Sequence, residues 1–81
     1  MSTNTNEDYR PWINKNIIID FPVPNDILKE FKHLEELDKP ETEFEYYTYA
    51  ESMDLMCKEA VRRGEITNKQ WEIIERRFFK E

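Results

Sequence analysis

The side chains best suited to base and nucleophile chemistry in this 81-residue sequence are His33 and Cys57, each the only one of its type. A zinc site takes three or four nitrogen or sulfur ligands, and one of each does not supply it. A nucleophilic cysteine needs a base beside it and an accessible, electropositive setting. Cys57 instead falls on the apolar stripe of a helix and reads as a small buried hydrophobe. His33 falls at the border of another apolar stripe and reads as a half-exposed helical histidine. The sequence has no P-loop, no G-x-S-x-G, no H-E-x-x-H and no EF-hand spacing. A carboxylate pair for glycoside chemistry needs a cleft, which so short a chain rarely builds. No catalytic residue, metal or cofactor is expected, and the protein reads as a non-enzyme.

Charge is the next source of function. The formal net charge is −6. Residues 1–57 carry 5 Lys/Arg against 13 Asp/Glu, and residues 58–81 carry 7 against 5. A polyanion is repelled by such a chain, so nucleic acid is disfavoured as a partner. Glu35, Glu36, Asp38, Glu41, Glu43 and Glu45 gather around one loop. The plainer reading is a solvated turn between two helix ends; the functional one is an acidic patch that grips a basic partner. Lys58, Arg62, Arg63, Lys69, Arg76, Arg77 and Lys80 form the basic cluster. Helix-end charge and pairing with Glu59, Glu72 and Glu75 account for it, with phosphate contact the lesser alternative.

The elements that position these groups follow from pattern. Length allows one domain, placed at residues 9–81 after a polar tail at 1–8 that reads as disordered. No apolar run is long enough for a membrane span, and "MSTNTNED" lacks the basic start and apolar run of a signal peptide. The cytoplasm is therefore expected, and one cysteine leaves no intrachain disulfide. "NIIIDF", at about 16–21, reads as an extended arm or a short strand closed by Pro22 and Pro24. Three helices follow, at about 25–38, 43–63 and 67–80, giving an all-α domain. Asn25 is the expected cap of the first, which carries Ile27, Phe31, Leu34 and, one position round, Leu28 and Leu37 on one stripe. Thr42 and Glu45 form the capping box of the second, and Thr67 and Gln70 that of the third, with Ile66 stapling onto Trp71. Gly64, the only glycine, sits where the second helix must stop and the chain reverse, so a left-handed cap is predicted there.

The stretch "GEITNKQW", followed by Phe78 and Phe79 after Trp71, resembles the turn and second helix of the short C-terminal helical hairpin called SHOCT. The resemblance covers residues 53–79. It implies a helical hairpin and a role in oligomerisation or macromolecular binding, and no functional residue is carried over. The whole chain is also similar to small uncharacterised proteins of phages and mobile elements, in which an "FPVP" arm precedes a helix and a hairpin.

Large rings exceed what a three-helix core of this size needs. Tyr46, Tyr49, Ala50, Met53, Met56, Cys57 and Ala60 share one face of the second helix at 100° per residue. Phe44 and Leu55, three turns apart, fall opposite, with Tyr47 beside them. The arm is expected to cover them through Trp12, Ile17 or Ile19. Phe44, Tyr47, Leu55 and Trp12 are thus the candidate partner-binding residues, since interfaces favour such side chains. The expected role is a small acidic protein-interaction module — adaptor, inhibitor or antitoxin-like — acting on a protein partner or on itself. The alternative is a DNA regulator resembling ribbon–helix–helix dimers, in which strands pair between chains.

Overall fold

The computed structural model describes residues 9–80. The tail expected at 1–8 lies outside them. Three α-helices follow the arm: α1 (Asn25–Leu37), α2 (Glu43–Arg62) and α3 (Asn68–Phe78). A 3₁₀ turn at Pro40–Thr42 joins α1 to α2. The described residues contain no strand, so the fold is all-α.

The start of α1 differs from expectation. Pro24, not Asn25, occupies the cap position, and no side chain caps the helix. The Pro24 carbonyl accepts from the N–H groups of Ile27 and Leu28 at 3.1 and 3.0 Å. The fixed φ of proline already turns the chain into the helix, so Asn25 becomes the first helical residue. Asp26 accepts from the Ile27 N–H at 2.9 Å and puts a negative charge at the positive helix end.

The Thr42–Glu45 capping box does not form. The Thr42 hydroxyl instead donates to the Leu37 carbonyl at 2.7 Å, one of the orphan carbonyls at the end of α1. A capping residue needs extended backbone, but Thr42 lies in a turn at φ −124° and ψ 23°. The 3₁₀ turn runs straight into α2 and leaves no room for an extended cap.

The α2–α3 hairpin agrees with expectation. Gly64 has φ +78°. Its N–H donates to the Val61 carbonyl at 3.0 Å and that of Glu65 to the Ala60 carbonyl at 2.8 Å, the Schellman pattern. Thr67 and Gln70 make both bonds of their capping box, at 3.0 and 2.9 Å. Between them Ile66 is buried, which pins the turn to the core.

That core takes Ile27, Phe31 and Leu34 from α1, Tyr46, Ala50, Met53, Cys57 and Ala60 from α2, and Ile74 and Phe78 from α3. The arm contributes Ile13. Phe31 and Phe78 stack with centroids 4.6 Å apart. The Tyr46 hydroxyl donates to the Phe78 carbonyl at 2.6 Å, satisfying a buried polar group where α3 ends.

A β-carbon added at Gly64 would meet nothing within 4 Å, so the positive φ alone sets the cost of substitution. Gly64→Ala is expected to lose about 1 kcal/mol, a fall in Tm of about 5 °C for a domain of this size. An unchanged thermal midpoint contradicts the left-handed cap.

Candidate functional site

Two acids of the acidic loop bind the chain's own arm. Asp38, which ends α1, accepts from the Tyr9 hydroxyl at 2.6 Å, the Trp12 N–H at 2.9 Å and the Ile13 N–H at 3.1 Å. Glu43, which starts α2, accepts from the Trp12 indole N–H at 2.9 Å and from Lys80 at 3.1 Å. The indole bond first, and Lys80 second, hold the Glu43 carboxyl below its ordinary value. Burial first, and then Asp38, push the Tyr9 hydroxyl above its ordinary value. Two of the six clustered acids are therefore the arm's binding site. Glu35, Glu36, Glu41 and Glu45 stay exposed.

The basic cluster is divided in the same way. Arg77 donates to the Ile17 carbonyl and, at 3.4 Å, to that of Asn14. The Asn14 N–H returns a bond to the Arg77 carbonyl at 2.7 Å. Lys80 lies 4.8 Å over the Trp12 ring and donates to the Arg10 carbonyl at 3.1 Å. Arg62 and Arg63 pair with Glu59 and Glu65 on the surface, where such pairs contribute little.

The residues with nucleophile and base chemistry lie apart. Cys57 is fully buried with its thiol 3.5 Å from the Met53 sulfur, and burial pushes its pKa up to about 12. The His33 ring lies against Tyr49, centroids 4.2 Å apart. Tyr49 is two turns of α2 from Cys57, roughly 12 Å along the helix.

One pair of acids escaped the sequence reading. Asp54 on α2 accepts from the Trp71 indole N–H on α3 at 2.8 Å. Glu75, one turn beyond Trp71, faces Asp54, with which it can share a proton. Burial first, and the Asp54 bond second, raise the Glu75 carboxyl to about 7. Reflecting α2 onto α3 about the turn at 64–65 sets residue 54 opposite residue 75, so the hairpin register was the signal that could have found it.

The candidate partner-binding residues separate. Phe44 is 81% exposed and Leu55 65% exposed. The arm does not cover them, contrary to expectation. Its anchors, Asp38, Glu43, Arg77 and Lys80, draw it to the end of α1 and the end of α3, away from the outer face of α2. Trp12 is half-buried against Tyr46 and Tyr47, with centroids 5.4 and 5.9 Å away. Tyr47 therefore links the arm to the exposed face, and Trp12 serves chiefly as an anchor.

Compared with protein-family models, curated proteins and solved structures, the chain matches none. No helix among the described residues is long and apolar enough to cross a membrane.

Two measurements check this geometry. Asp38→Asn keeps the shape but sets an amide against the arm's donors. It is expected to cost about 2 kcal/mol, the scale of hydrogen bonds to a charged group. Glu36→Gln, on the exposed side of the same loop, stays within about 0.5 kcal/mol of wild type. Equal effects from the two, read by chemical denaturation, contradict the anchor.

The second measurement is of pH. Folded Glu75 keeps its proton to about pH 7, while the ordinary value is 4.5. The folded state therefore holds more protons between those values. The stabilisation is complete below about 4.5 and is lost as pH rises through 7. Glu75→Gln keeps a neutral side chain at every pH. Allowing for solvent screening of a half-exposed pair, it is expected to exceed wild type by about 1 kcal/mol at pH 8 and to match it at pH 4. A stability difference that does not change with pH contradicts the shared proton.

Proposed function

We propose that this chain is a small non-enzymatic protein-interaction module that binds a partner protein through the outer face of α2. The observation that carries this reading is the exposure of Phe44 and Leu55 at 81% and 65%, three turns apart on one side of a helix whose other side is fully buried. Phe44 and Leu55 lie opposite the core stripe, so neither contributes to folding. Large exposed apolar side chains on a rigid element are the usual anchors of an interface. Tyr47 and Glu51 lie between them, and Glu51 raises the Tyr47 hydroxyl, so the face offers apolar anchors with a polar middle. The buried Cys57 thiol and its separation from His33 along α2 support the non-enzymatic part. An adaptor, inhibitor or antitoxin-like role of the kind found in phages and mobile elements agrees with this small, acidic form. The ribbon–helix–helix alternative has less support, because a net charge of −6 opposes binding to duplex DNA.

The test compares wild type with Phe44→Glu/Leu55→Glu as immobilised baits in host lysate. Both positions are exposed, so Tm is expected to hold within the range of ordinary surface changes. One dominant protein retained through high salt by wild type, and released by the double variant, is the expected result. Equal retention by both baits, or none by either, overturns the reading.

A further inference from the structure

The arm from residue 17 to residue 21 is neither helix nor paired strand. Its side chains alternate. Ile17, Ile19 and Phe21 are half-buried, and Ile18 and Asp20 are exposed, Ile18 at 65%. That is the period of a strand with one face on a core, and three successive β-branched residues favour it. Ile19 and Phe21 pack against the core from this inward row.

In a strand, the polar groups of residues two apart share an edge. The Ile17 carbonyl, on the edge that Ile17 shares with Ile19 and Phe21, is taken by Arg77 of α3. The other edge belongs to Ile18 and Asp20. Their backbone N–H and C=O groups have no hydrogen-bond partner among the described residues. A bare edge beside an exposed apolar side chain is a template for another strand.

We propose that this edge pairs antiparallel with the same edge of a second copy of the chain, about a two-fold axis at Ile19. Three features select that occupant. The segment is itself the alternating β-branched chain that such an edge accepts. The turn ending at Ile17 and the ring of Pro22 limit pairing to residues 17–21, whose midpoint is Ile19. In that register Ile18 faces the partner's Asp20, so the two aspartates do not meet, and each Ile18–Asp20 pair exchanges two backbone hydrogen bonds. The contact is isologous and closes as a dimer. Its outward row carries no cation, so the ribbon assembles the protein without being built to hold nucleic-acid phosphates. The outer face of α2 takes no part in the pairing, so this proposal and the partner-binding reading stand or fall separately.

The test uses the full chain, with sedimentation and amide hydrogen exchange over a wide concentration range. The mass is expected to double as concentration rises. The Ile18 and Asp20 amides slow in step with it, while the Ile19 amide does not. Ile18→Asp sets like charges opposite each other twice. It is expected to weaken association by about tenfold or more, while Tm read at concentrations below association holds, since Ile18 is exposed. Adding Asp20→Lys to that variant turns repulsion into attraction and restores the dimer. A wild type that stays monomeric, with exchange independent of concentration, overturns the proposal. A dimer untouched by Ile18→Asp, or one not restored by the double substitution, overturns it equally.

Discussion

Asp38 holds the two parts of this molecule together. A helical hairpin with a third helix leaves one side of its core open, and the arm closes it. The arm has few helical or sheet bonds of its own, so its position depends on groups outside it. Asp38 supplies two oxygens that accept from one side chain and two successive backbone N–H groups. Those bonds set the course of residues 9–13 and place Ile13 in the core. Glu43, Arg77 and Lys80 extend the same logic along the arm. Each bonds a backbone or indole group of the arm, and the Trp12 indole and the Ile17 carbonyl among these are part-buried. Two of the acids that look like a partner's docking site in the sequence, Asp38 and Glu43, are spent on the chain itself.

This self-binding defines what is left for others. One side of α2 is sealed by α1, α3 and the arm's Trp12, and the other is bare. A helix that supports the whole core cannot move far, so Phe44 and Leu55 are presented on a rigid base. Little ordering entropy remains to be lost when such side chains dock. The Asp54–Trp71–Glu75 contact does similar work between α2 and α3. There burial first, and the neighbouring Asp54 second, raise the Glu75 carboxyl, which lessens the repulsion of the two acids.

Local signals were legible in the sequence, and long-range ones were not. The hairpin could be read because Gly64, Thr67 and Gln70 act on groups within a few residues of themselves. The centres of the α1 and α2 stripes could be read from periodicity, but Leu28 and Tyr49 at their borders stay exposed. Asn25 and Thr42 carried the right chemistry for caps, but Pro24 and the Leu37 carbonyl offered better local solutions. Asp38 looked like any acid in a turn, because its partners lie 25 to 29 residues away. Periodicity put Phe44 and Leu55 opposite the core, but whether the arm reached them depended on anchors no local pattern reveals.

The most direct test of the anchor is native-state hydrogen exchange of the Trp12 and Ile13 amides in the wild-type chain. If Asp38 fixes the arm as part of the cooperative core, these amides open only with the whole domain. Their opening free energies then equal those of the slowest amides in α2. If they exchange through a separate, low-energy fraying that leaves α2 protected, the arm is an ornament on a self-sufficient three-helix fold and the account fails.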